Sequence, residues 1–209
     1  MATDASESSE LLRRAGAGDR EAATELSRYR DRLRAMVRLR LNRRLQGRVD
    51  PSDVLQEAFL EISKGFPDYV RQPTMPFFLW LRHITGQRLI AAHRQHLGAQ
   101  MRDAGQEVSL YRGALPQASS VSLAAQLLGR LTSASQAAIR AETQIRLQEV
   151  LNGMDAMDRE ILALRHFEML SNGEAAQVLG VKKSAASNRY IRALKRLKEA
   201  VAGMPGLLD

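Results

Sequence analysis

Seven basic residues and no acid lie between Lys182 and Lys198. Ala186, Tyr190, Ala193 and Leu197 recur there at helical spacing, so one side of a helix is apolar and the rest is polar. The polar side chains suit DNA. Arg pairs with guanine and Asn with adenine through two hydrogen bonds each, while Lys neutralises phosphate. Lys182, Lys183, Ser184, Ser187, Asn188, Arg189 and Arg192 are therefore candidates for the major groove. Lys195, Arg196 and Lys198 are better placed for backbone phosphate. The competing reading is an ordinary helical hairpin with a solvated basic face.

Other chemistry is sparse. Cys is absent, which excludes disulfides, thiolate nucleophiles and cysteine-ligated zinc. His93 and His96 are three apart on one helix and could share a metal. The only other histidines are His83 and His166, and no H-E-x-x-H, glycine-rich phosphate loop or G-x-S-x-G elbow occurs. The expectation is a non-enzyme with no cofactor and no metal.

The elements that hold these residues are helical throughout. Ser171 and Glu174 have the spacing of a capping box, starting a short helix that ends at Gly180. With the basic helix from about Lys183, this makes a helix-turn-helix, whose second helix enters the groove. Upstream, Asp155 is expected to cap a helix with Asp158 in the partner position of a second capping box, and a further helix spans about 136–154. In the first half, helices are expected over Glu10–Ala17 and from Arg20 to about Leu45. Another starts at Asp50-Pro51 with Val54, Leu55, Ala58, Phe59 and Ile62 on one face, and a long one covers Phe77–Leu97. Gly65, Pro67, Pro73 and Pro76 mark a loop of about ten residues between these last two. No strand pattern competes.

The fold expected is all-α, two small helical domains joined by a flexible linker, the second containing the helix-turn-helix. The boundaries are a disordered stretch 1–9, a domain 10–97, a linker 98–134 with one short helix candidate, a domain 135–203 and a tail 204–209. The net charge of +8 over 209 residues points to a polyanionic partner. Nine Arg stand against one acid between Arg28 and Arg48, so basic residues gather in two distant places. The polar, acidic start is neither a signal nor a transit peptide, and no stretch is apolar enough for a membrane span. A soluble cytoplasmic protein without membrane insertion is expected.

Four segments resemble one family. Asp53-Val-Leu-Gln56-Glu57-Ala-Phe59-Leu60 is similar to the D-x-x-Q-E-x-F-L signature of RNA polymerase sigma factors of the extracytoplasmic-function (ECF) type. Phe77-Phe78-Leu79-Trp80-Leu81, with Ile84 and Arg88-Leu89-Ile90, resembles that family's F-x-x-W-L helix. Residues 157–168 resemble the start of its second domain, and Glu174–Val181 with Arg189, Arg192, Ala193 and Leu197 its helix-turn-helix. The resemblance spans roughly 10–97 and 135–202.

It implies a transcription initiation factor. Asp53, Gln56 and Glu57 would dock on the clamp coiled coil of core RNA polymerase, and the second domain would meet the flap. The loop 65–76 and the exposed face of the Phe77–Leu97 helix would hold the melted −10 strand, with Arg82, His83, Gln87, Arg88 and Arg94 as candidates. Residues 182–196 would read the −35 duplex, and an anti-sigma protein is a further possible partner. Trp80 and Phe77 read as core rather than as base-stacking rings. Gln87, Ala91 and Lys182 depart from the family's usual Asn, acid and hydroxyl cap. The alternative is a stand-alone helix-turn-helix regulator, which leaves the Asp53–Leu60 pattern unexplained.

Overall fold

Asp19 and Asp50 each place a carboxylate at the start of a helix, and the first domain is laid out from these two caps. Asp19 accepts from the N–H groups of Glu21 and Ala22, starting α2 (Arg20–Arg40). Asp50 accepts from Ser52 N–H ahead of Pro51, starting α3 (Pro51–Arg71). Both follow the rule that a short acceptor side chain satisfies an otherwise orphaned first-turn donor. In this computed structural model the chain divides into two units, Met1–Leu110 and Tyr111–Asp209. It describes residues 2–42, 45, 47–97, 115–131 and 137–202. Every regular element among the described residues is a helix. Most of the expected linker ends and the whole 204–209 tail lie outside them.

The first unit holds α1 (Ala2–Gly16), α2, α3 and α4 (Phe77–Leu97). Leu33, Met36 and Val37 of α2 meet Val54, Leu55, Ala58 and Ile62 of α3 around α4, whose Phe77, Phe78, Leu81 and Leu89 are all buried. Each of these side chains except Ala58 contributes roughly 1.5–3 kcal/mol on leaving water. α4 matches its expected span, because Phe77 is the first residue that can continue inward after Pro76.

Three expectations need correction here. The stretch 1–9, expected to be disordered, is helical from Ala2: α1 runs through it, with Ser8 and Leu11 buried where it packs on α2. A serine-rich composition does not prevent a helix once a neighbour supplies the apolar contact. α2 stops at Arg40 rather than near Leu45. Leu41 turns extended, the next N–H (Asn42) donates to His93 Nε2 of α4 at 3.3 Å, and Leu41 and Leu45 both turn inward. The loop expected over 65–76 shrinks to 72–76, because α3 runs through Gly65 and Pro67 to Arg71. Proline costs that helix a hydrogen bond, but packing offsets the loss. Buried Tyr69 stacks on Trp80 with ring centres 4.6 Å apart and donates its hydroxyl to the Met75 carbonyl.

The second unit begins earlier than expected. Residues 120–131 of the expected linker form α5 (Ser120–Leu131), packed on α6 (Ala137–Asn152) through Leu123, Ala124 and Leu128. Just ahead of it Ala118 N–H donates to Glu160 of α7 at 3.1 Å, so this piece belongs to the domain. α7 (Ala156–Leu162) widens into one π-helical turn over Ala163–Phe167, and the chain then reverses at Met169, whose φ is +57°. α8 (Asn172–Leu179) and α9 (Lys183–Ala202) complete it.

Candidate nucleic-acid interface

The expected capping box is present: Glu174 N–H donates to Ser171 Oγ, and Ser171 N–H to Glu174 Oε2 at 2.7 Å. Gly180 ends α8 in the left-handed region at φ +63°, which glycine adopts without steric cost. Val181 N–H reaches the Ala176 carbonyl at 3.0 Å, and the Asn172 amide donates to the Lys183 carbonyl at 2.9 Å. Four local devices therefore set the angle at which α9 leaves α8.

α9 turns Ala186 and Ala193 fully inward, and these small residues let it approach α7 and α6. Tyr190 lies on the same side, its hydroxyl 3.1 Å from His166 Nε2 and its ring beneath the Arg165 guanidinium. Ser184, Asn188, Ile191 and Lys195 face outward at steps of four, three and four, a single helical stripe. Lys182, Lys183 and Arg196 are exposed beside it, and Ser187 is half-buried.

Arg189 and Arg192 occupy a different position. Arg189 Nη1 lies 2.8 Å from Asp158 Oδ1 and 3.1 Å from Asp155 Oδ1, and Arg192 Nε lies 3.0 Å from Asp158 Oδ2. The Asp158 side chain is only 3% exposed, so its two oxygens are committed to these guanidiniums. Asp158 thus serves as an anchor for α9 and not as the second member of a capping box. Asp155 alone caps α7, accepting from Met157 N–H at 2.9 Å. That hydrogen bond, with Arg189 alongside, holds the Asp155 carboxyl below its usual range. Of the expected groove-facing residues, Arg189 is drawn off the surface by these ion pairs.

On α4 the candidates also separate. His83, Gln87 and Arg94 line one open side, with Gln87 Nε2 and His83 Nε2 3.1 Å apart. Burial, then the nearby Arg82 charge, push the His83 pKa down. Arg88 is half-buried, its Nε enclosed with no hydrogen-bond partner. Arg82 is a correction: it is buried, because α4 is covered on more than one side and its position falls inside. Trp80 and Phe77 pack among Tyr69 and Phe66, as expected of core rings. His93 is buried with Nε2 engaged by Asn42, apart from exposed His96. Among the described residues no group of three His, Cys, Asp or Glu gathers as a metal site, and no helix is long and apolar enough to cross a membrane.

The outer face of α3 brings Asp53, Gln56 and Glu57 together, all exposed, above buried Val54, Leu55 and Ala58. Leu60, 63% exposed, completes that stripe one turn on. Leu60 and Ile191 are exposed apolar residues beside these candidates that the sequence reading did not count among the contact residues. Each was detectable as a large apolar side chain standing off the apolar stripe of its own helix.

Residues 150–199 match the family model "Sigma-70, region 4". The chain is 30% identical over 192 residues to the ECF RNA polymerase sigma factor SigD of Mycobacterium bovis and to that of Mycobacterium tuberculosis, covering 91% of this chain and 82% of each relative. A solved structure of CnrH in complex with the cytosolic domain of CnrY aligns over 92% of this chain and 95% of that one, at 22% identity and a TM-score of 0.47. The 30% identity to the SigD proteins over 91% of this chain, with the region 4 match over α7, α8 and α9, places this chain in the ECF family of RNA polymerase sigma factors.

Proposed function

We propose that the chain initiates transcription through three separate surfaces. The α3 stripe of Asp53, Gln56, Glu57 and Leu60 docks on the clamp of core RNA polymerase, where carboxylates and an amide meet basic side chains around an apolar contact. The open side of α4, with His83, Gln87 and Arg94, holds the melted −10 strand, and Arg88 supports it from beneath. The outward stripe of α9 reads the −35 duplex. Asn188 is the candidate for adenine, Ile191 for a thymine methyl, and Lys182, Lys183, Lys195 and Arg196 for phosphate.

The observation that carries this reading is the exposure of Asp53, Gln56 and Glu57 on one face together with Leu60. A stand-alone operator-binding protein has no use for that face. The chain itself performs no reaction and acts in the cytoplasm, where polymerase and promoter are found. An anti-sigma protein would silence it by covering the α3 or α9 surface. The test is retention of core polymerase by purified protein, followed by transcription from a genomic DNA library. Stoichiometric retention with discrete new start sites is expected. DNA binding by the second unit without polymerase retention would overturn it.

A further inference from the structure

α2 carries a second basic surface that none of these roles uses. Arg30, Arg34 and Arg38 are all exposed and follow one another at four-residue steps on the side of α2 away from buried Leu33, Met36 and Val37. Successive members stand about 6 Å apart along the helix axis. The neighbouring arginines are used differently. Arg32 sits over the Phe78 ring, 3.4 Å from its centre, and Arg40 is buried with Nη1 on the Met36 carbonyl. Among the described residues none of Arg30, Arg34 and Arg38 makes an ion pair or hydrogen bond, nor does exposed Arg48 in the turn that follows. Asp50 feels the charges of Arg34 and Arg38, but its carboxylate is occupied by Ser52 N–H at 2.7 Å. Like charges left unpaired along one helix face repel one another and raise the local attraction for an anion.

We propose that Arg30, Arg34 and Arg38, extended by Arg48, form a track for the DNA phosphate backbone, distinct from the α4 surface. The choice of DNA rests on the sigma-factor reading and on charge. The outer face of α3 is acidic at Asp53 and Glu57 and suits a basic protein surface. The arginine track on the adjoining helix suits a partner of opposite sign, and a row of evenly spaced phosphates matches a row of evenly spaced guanidiniums. No base is read, so the track adds affinity and salt sensitivity without changing promoter choice.

The experiment measures affinity of the free full-length chain for duplex and for single-stranded DNA of arbitrary sequence, as a function of salt. The test variant is R34Q/R38Q and the charge-matched control is R13Q/R146Q, whose arginines pair with Glu10 and Glu142. Loss of two phosphate contacts lowers the log–log slope on duplex by up to about 1.8, or about 12-fold less sensitivity between 50 and 200 mM salt. A fall of one or more in the test variant alone, on either form of DNA, supports the track, and the form affected identifies the strand it follows. Equal slopes in test variant and control overturn it. So does an unchanged slope with weakened retention of core polymerase, which would make the occupant an acidic protein surface. The DNA measurement needs no polymerase, so a wild-type chain that retains none sinks the sigma-factor reading while leaving this result standing.

Discussion

Arg189 reaches across from the recognition helix to Asp158 of α7, with Nη1 2.8 Å from Oδ1 of a carboxylate that is almost wholly enclosed. The residue whose type best suits guanine therefore holds α9 in place, and Arg192 braces the same carboxylate from its other oxygen at 3.0 Å. Enclosure decides the role. A carboxylate cut off from water depends on these donors, and removing one leaves a desolvated charge. Arg189→Ala should thus lower the stability of the second unit by about 1–2 kcal/mol, since the guanidinium itself is partly exposed. Thermal unfolding checks it. Affinity should fall equally on promoter and unrelated duplex, so loss confined to one promoter base would return Arg189 to base reading.

Asn188 is the opposite case. It is exposed at the centre of the outward stripe and makes no hydrogen bond among the described residues. Asn188→Ala should leave the melting temperature unchanged and relax preference at one promoter position by about 1–3 kcal/mol. Competition between promoter variants differing at single −35 positions is the measurement. Lys195→Gln should instead weaken all duplexes alike and reduce the salt slope by about 0.9.

The α3 stripe predicts a failure of assembly without a failure of folding. Glu57 is exposed and its underside neighbours Val54 and Ala58 carry the packing. Glu57→Lys should abolish retention of core polymerase while the helical circular dichroism and unfolding temperature stay as in the parent. Leu60→Ala should weaken retention by roughly tenfold, the scale expected when an exposed leucine loses its contact area on a partner. Normal retention by both variants would place the polymerase contact elsewhere.

Local features were legible in the residues, and features depending on distant partners were not. The Ser171–Glu174 cap, the Gly180 turn and the Phe77–Leu97 span each rest on neighbours within a few positions, so pattern alone found them. Pro67 suggested a loop because its cost is local, whereas Tyr69 stacking on Trp80 is a contact between two helices. The same distinction explains Arg189. Asp158 lies 31 positions away, and nothing near Arg189 in the chain indicates that its charge is taken. The residues of the second unit's extra helix α5 were visible as an apolar piece, but its partner α6 was needed to make it part of a domain.

His93 makes the first unit sensitive to acid. It is buried, its Nε2 accepts Asn42 N–H at 3.3 Å, and burial pushes its pKa below the usual 6.5. The folded chain thus keeps the imidazole neutral over a range where the unfolded chain protonates it. The unfolded state binds the extra proton, so stability is complete above about pH 6.5 and declines as pH falls towards the depressed folded value. His83, also depressed by burial, adds in the same direction. Protonated Nε2 can no longer accept from Asn42, so the turn that ends α2 should open first. His93→Gln keeps an acceptor and cannot titrate. Unfolding of the first unit in urea between pH 5 and 7.5 should show a shallower pH dependence in H93Q than in the parent, with His83 and, at the acid end, the depressed carboxylates of Glu10, Asp19 and Asp50 supplying what remains. Identical slopes would mean that His93 binds protons equally in the folded and unfolded chain, so that burial does not depress it.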